Sequence, residues 1–219
     1  MLKTIKLFLL SSVINTCPRI QPMENFNTTE YIRATWYIQQ QQITGYQPRN
    51  SLYCVAQTLN LTNKTVPFFD GSVISVFNYG RLDGVNGTLE NPKNFTLCAR
   101  QINQSDPARI INAPCFLPNF LAGPYWVIGA GPKSDFYEWA IVSGGPPTVR
   151  YPDGNCSTSL EGTNGSGLWL FTRRQNGTDL IPLMRDYLLN FGYTTSQLLN
   201  VTQEGCNYSK SFIKNNIRI

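Results

Sequence analysis

The sequence predicts an all-β domain of eight strands, a barrel or a sandwich, with one amphipathic helix near its C-terminal end. Eight short β-rich runs separated by Gly, Pro, Asn and Asp clusters give the strands. A single late stretch with apolar residues at helical spacing gives the helix. The 219 residues are 42% hydrophobic and 14% charged, enough apolar surface for one sizeable core and too little charge for a disordered chain.

From the N-terminus, Lys3 and Lys6 precede a mostly apolar stretch at 7–14, and small polar residues follow. That order of parts matches a secretory signal peptide, so residues 1–16 are read as a leader and 17–219 as one domain. No run of eighteen apolar residues occurs, which excludes a membrane-spanning helix. The expected strands are 35–42, 52–61, 72–79, 88–100, 108–115, 125–130, 136–143 and 167–173. Turn signals divide most of them: Thr44-Gly45, Asp70-Gly71, Asp83-Gly84, Asp106-Pro107, Gly131-Pro132 and Gly144-Gly145-Pro146-Pro147. Leu180, Leu183, Met184, Tyr187, Leu188 and Phe191 then recur over about three helical turns. Pro182 suits the first turn of that helix, and Gly192 can end it with a positive φ. The apolar stripe must pack on something outside the strands.

Several function classes are excluded. Histidine is absent, so a Ser-His-Asp or Cys-His machine has no base and an imidazole zinc site has no ligand. The net charge of +5 falls to +3 without Lys3 and Lys6, and the remaining basic residues are scattered, so no stripe for nucleic acid is expected. Asn-x-Ser/Thr triplets occur at Asn27, Asn60, Asn63, Asn86, Asn94, Asn103, Asn155, Asn164, Asn176, Asn200 and Asn207. Those are eleven sites where composition alone predicts about three. Such a density points to a glycoprotein of the secretory pathway, with these asparagines at the surface. Six cysteines, at 17, 54, 98, 115, 156 and 206, fit the same oxidising route, and no Cys-x-x-Cys occurs. Fifteen pairings remain open on spacing alone.

Three motifs carry a resemblance. Tyr31-Ile32-Arg33-Ala34-Thr35-Trp36-Tyr37 is similar to the Gly-x-Trp-Tyr signature of the lipocalins, with Ala34 where the family usually has Gly. Gly123-Pro124-Tyr125-Trp126-Val127-Ile128 followed by Asp135-Phe136-Tyr137-Glu138-Trp139-Ala140-Ile141-Val142 resembles the family's Thr-Asp-Tyr region and its flanking strands. Leu168-Trp169-Leu170-Phe171-Thr172-Arg173 resembles the strand that ends in the family's signature arginine. The helix and the segment up to Cys206 resemble the family's C-terminal part, so the likeness covers roughly residues 17–206. In pattern the chain looks like the apolipoprotein D-like and chloroplast lipocalins. Two departures stand out: Gly131 to Ser134 lengthens the turn where Thr-Asp would stand, and the loop at 144–165 is long. No receptor docking carries over from regions so altered.

The resemblance implies an eight-stranded up-and-down antiparallel β-barrel with the helix packed outside. It also implies a secreted protein that reversibly carries a small hydrophobic molecule in the barrel, such as a lipid, fatty acid, sterol, retinoid or carotenoid. Trp36 would close the barrel floor with Arg173 across its ring. The implied disulfides are Cys54 with Cys206, Cys17 with Cys156, and Cys98 with Cys115. No catalytic residue, metal ligand or cofactor is expected.

Alternation along each strand then assigns a ligand-binding face. With Cys54 outward toward the tail, Tyr53, Val55, Gln57 and Leu59 face inward, and Ile74, Val76 and Asn78 form the matching face of the next strand. Trp126 and Ile128, opposite Trp139 and Ile141, complete the expected cup. Gln57 or Asn78 would orient a polar end of the guest. Two other readings stay open: a filled barrel whose loops bind a protein, and a lipocalin-fold enzyme acting on a lipophile through a free pocket thiol or acidic groups.

Overall fold

The structure is a computed structural model that describes residues 16–209 and 211–216, so all but the last residue of the expected leader lies outside it. The elements are α1 (Thr28–Tyr31), β1 (Trp36–Gln41), β2 (Tyr53–Thr62), β3 (Val73–Leu82), β4 (Thr88–Leu89), β5 (Thr96–Gln101), β6 (Arg109–Ala113), β7 (Gly123–Lys133), β8 (Phe136–Ser143), β9 (Val149–Arg150), β10 (Cys156–Ser157), β11 (Leu168–Thr172), α2 (Ile181–Asn190) and β12 (Leu199–Asn200). Eight of the strands pair in the order β11-β8-β7-β6-β5-β3-β2-β1, and β1 pairs again with β11. Every pairing is antiparallel, so the sheet closes into the expected up-and-down barrel without exposed edges. β12 extends β1, β4 extends the end of β3, and β9 and β10 form a separate hairpin in the long loop.

Two local expectations are corrected. The run at 88–100 splits into β4 and β5, because Pro92 cannot donate to a ladder and Asn94 takes a left-handed φ of 51°. Gly131-Pro132 is not a turn: β7 runs through it to Lys133, and the reversal falls on Ser134-Asp135. Glycine is needed at 131 because a Cβ there would lie 2.7 Å from the Trp139 ring.

The helix forms where its periodicity predicts, led by a 3-10 turn at Thr178–Leu180 and followed by Gly192 at φ +76°. Its buried stripe is narrower than the spacing suggests. Met184 and Leu188 are fully buried, Leu180 and Tyr187 half-buried, while Leu183 and Phe191 are exposed. A helix docked against one curved sheet buries only the residues directly facing it.

Two apolar layers result, separated by the β8 and β11 backbones. The inner one fills the lower barrel with Trp36, Leu59, Ile74, Val76, Ile110 and Val127, among others. The outer one joins Trp139, Ile141, Leu168 and Leu170 to Met184, Leu188 and Tyr193. α1 plugs the floor. Asn27 caps it by accepting the Glu30 N–H at 3.1 Å, and Glu30 holds both Arg33 (2.9 Å) and the Tyr137 N–H (3.0 Å).

The three disulfides join Cys17 to Cys156, Cys54 to Cys206 and Cys98 to Cys115, the pairings that the resemblance implies. Cys54–Cys206 spans 152 residues and ties β2 to the tail. Chain entropy assigns such a loop about 5 kcal/mol before native strain is subtracted.

Candidate functional site

Above the packed floor the barrel opens into a cavity of about 580 Å³, within the range of small-molecule sites. Ile38, Val55, Leu97, Tyr125, Trp169 and Phe171 supply much of its apolar wall, each from a different barrel strand except for the last two, which share β11. Loop residues Tyr46, Phe95, Leu117 and Leu121 line it nearer the solvent. The loop carrying Leu117 is fastened by Cys98–Cys115 and by Arg100, whose Nη2 donates to the carbonyls of Pro114 (3.1 Å) and Leu117 (2.9 Å). Among the described residues Glu90 is the one charged group on the wall, and burial pushes its carboxyl above the usual range.

A hydrogen-bonded relay crosses the interior. Tyr125 Oη donates to Gln57 Oε1 at 2.5 Å, and Gln57 Nε2 donates to Asn78 Oδ1 at 2.9 Å. Since Tyr125 spends its proton on Gln57, Tyr31 is the donor in the 2.7 Å contact between the two tyrosine hydroxyls. Asn78 therefore turns its NH₂ to the relay's open end, on the cavity wall. Burial drives both tyrosines well above their ordinary pKa, which keeps the relay neutral. Asn112, also on the wall, has an Oδ1 without a hydrogen-bond partner among the described residues.

The residues expected to bind ligand divide into three groups. Asn78 is on the wall, as alternation predicts. Leu59 and Val76 face inward but belong to the packed floor beneath the cavity. Trp126, Ile128, Trp139 and Ile141 are corrected: they lie on the outer face, packed in or against the cluster under α2. Trp126 is moreover covered by Arg109, whose guanidinium carbon lies 4.3 Å from the ring centroid. The expected cup took the wrong face: Tyr125 and Val127 point in with Trp126 and Ile128 out, and Ala140 and Val142 point in with Trp139 and Ile141 out, in unbroken alternation. The ladder shifts between Val127 and Gly129, and one extra residue enters β8 between Tyr137 and Trp139. Tyr137 therefore points in while Trp139 points out. Sequence reasoning missed Tyr125 and Trp169 as wall residues. The helix stripe was the available signal, because it demanded an equally apolar outer face on neighbouring strands.

The floor pair is as expected. Trp36 is fully buried, and the Arg173 guanidinium carbon stands 3.4 Å from its ring centroid. Arg173 also donates to the carbonyls of Glu30 (2.7 Å), Tyr31 (2.9 Å) and Ala34. Burial pushes its pKa down to about 9, so it remains charged at neutral pH. Nine of the eleven sequon asparagines are exposed, and Asn27 and Asn155 are half-buried. All six cysteines are bridged, and no cluster of three metal-ligating side chains occurs among the described residues.

No family model and no curated protein matches the chain. Solved structures do. The barrel is similar to lobster apocrustacyanin A1, with a TM-score of 0.55 and 15% identity over 90% of this chain and 96% of that one. It is also similar to apocrustacyanin C2, with a TM-score of 0.54 and 14% identity over 90% and 96%. The cockroach allergen Per a 4 matches with a TM-score of 0.50 and 13% identity over 89% and 97%. At such identities the likeness establishes the architecture alone: the chain has the lipocalin fold.

Proposed function

We propose that the protein is a secreted carrier that reversibly holds one small hydrophobic molecule in the barrel, at the apolipoprotein D-like end of the lipocalins. The cavity carries this reading. About 580 Å³ of interior, walled mostly by aromatic and aliphatic side chains, with neutral polar ones such as Gln57 and Asn78 and, among the described residues, one charged group, removes a guest's apolar surface from water at about 25 cal/mol per Å². The Asn78 NH₂, at the open end of the relay, supplies a donor for one polar function on that guest. Three disulfides and eleven sequons support an extracellular glycoprotein.

A carrier needs no turnover. Thiol catalysis would need a free cysteine in the cavity, and each of the six is committed to a bridge. The open interior also speaks against a barrel filled to serve only as a platform for protein contacts. Lipids extracted from protein purified out of a secreting eukaryotic host give the test by mass spectrometry. One lipophile in about equimolar amount, replaceable by an added competitor, is expected. Protein that comes out bare and takes up no fatty acid, sterol, retinoid or carotenoid contradicts the carrier reading.

A further inference from the structure

Of the eleven sequon asparagines, all within the described residues, only Asn164 is on the cavity wall. It belongs to the triplet Asn164-Gly165-Ser166 in the loop between β10 and β11, and it is exposed. The loop rests on the barrel rim. A methyl group on Gly123, the first residue of β7, would collide with Asn164 Oδ1. The loop's base is fastened from several sides. Ser166 Oγ donates to the Gly162 carbonyl at 2.8 Å, the Ser159 N–H to Gly165 at 3.2 Å, and Tyr46 Oη to the Ser166 carbonyl at 3.2 Å. The loop that carries Asn164 is thus held at the opening by bonds of its neighbours on either side.

We propose that an N-linked glycan on Asn164 stands over the cavity mouth and sets the rate at which the hydrophobic guest enters and leaves. The proposal rests on the carrier reading and adds a kinetic control to it. In the modification, Asn164 Nδ2 forms a bond to the anomeric carbon of an oligosaccharide held by a lipid-linked diphosphate. The amide gives up one proton, and the diphosphate departs with the electrons of the broken carbon–oxygen bond. The attached sugars do not fold into the cavity, because their hydroxyls would lose hydration against an apolar wall. They remain in water above the opening and obstruct passage in both directions. A group that obstructs without touching the bound guest slows association and dissociation by the same factor and leaves Kd unchanged. Asn60, exposed on β2 and absent from the cavity wall, serves as the control sequon.

The experiment compares wild type, Asn164→Gln and Asn60→Gln, each secreted from glycosylating cells, before and after glycosidase treatment. Glycopeptide mass spectrometry reads occupancy of Asn164, and stopped-flow fluorescence with cis-parinaric acid reads both rate constants. Asn164 is expected to be occupied. Asn164→Gln is expected to speed association and dissociation together, by about threefold to tenfold, and the wild type is expected to keep its Kd when the glycan is removed. Glycosidase should bring wild type to the variant's rates, and Asn60→Gln should behave as wild type. An unmodified Asn164, equal rates in the glycosylated wild type and Asn164→Gln, or a difference that survives glycosidase overturns the gate alone. Failure of every form to bind the probe counts against the carrier reading and the gate together, while occupancy is still read independently.

Discussion

Arg173→Ala is expected to lose roughly 3 kcal/mol of stability while ligand selectivity stays as in wild type. The guanidinium lies against the Trp36 face with both groups buried, a contact worth about 2 kcal/mol when desolvated. It also serves the carbonyls of Glu30, Tyr31 and Ala34. Alanine would leave these buried acceptors short of a donor, at about 1–3 kcal/mol for each one fully orphaned. Part of that loss is offset because a buried charge no longer has to be desolvated. For a chain of this length a change near 3 kcal/mol lowers Tm by about 10 °C. Arg173 is not on the cavity wall, so relative affinities for a panel of lipophiles should not move. Thermal unfolding and the same panel on both proteins check this. Unchanged Tm with altered selectivity would reassign Arg173 to the binding site.

The second large effect is alkaline unfolding, with stability held to about pH 10 and then falling steeply. Burial raises the Tyr193 pKa to about 12, with a lesser opposing pull from the Ser143 hydroxyl. Tyr31, Tyr125 and Tyr208 are raised well above 10 by burial, and in Tyr125 and Tyr208 further by neighbouring tyrosines. The unfolded chain ionises these groups near their ordinary value of 10.0. Between that value and the folded pKa the native state binds more protons than the unfolded one, so stability is complete below pH 10 and is lost as pH rises through the folded values. Arg173 acts in the opposite direction. Its folded pKa of about 9 lies below the ordinary value, so its contribution grows with pH, as do those of Arg100 and Lys214, whose pKa burial also lowers, but these three groups oppose nine raised tyrosines. Tyrosinate absorbance and circular dichroism recorded together from pH 8 to 12.5 decide the matter. The buried tyrosinates should appear only as the fold is lost. Smooth ionisation of all eleven tyrosines near pH 10 in an intact barrel contradicts the buried relay.

Which features could be read from the sequence depended on whether one face of an element differed from the other. Beyond the bulge between Tyr53 and Ala56, which takes Tyr53 off the pattern, β2 and β3 alternate cleanly, and Gln57, Leu59, Val76 and Asn78 point where alternation puts them. β7 and β8 are apolar on both faces, one turned to the cavity and floor and one to α2, so a period of two fits either assignment equally. The bulge beside Glu138 moreover puts Tyr137 and Trp139 on opposite faces without any mark in the residue pattern. Trp36, Arg173 and the disulfides were legible only through the family resemblance, since spacing left fifteen pairings open. The wall residues of the upper barrel depended on loops whose paths are set by packing, as Leu117 is by Arg100 and Cys115.

Contact quenching by a brominated fatty acid tests the central claim, a single lipophile against the inner wall. Trp169 is the tryptophan on that wall, whereas Trp126 and Trp139 lie outside the barrel and Trp36 is sealed in its floor. Titration of the native protein should quench part of the fluorescence with saturation at one equivalent. Trp169→Phe should remove that response, while Trp126→Phe and Trp139→Phe retain it. No saturable quenching, or quenching that survives Trp169→Phe and disappears with Trp139→Phe, would place the lipophile outside the barrel and contradict the account.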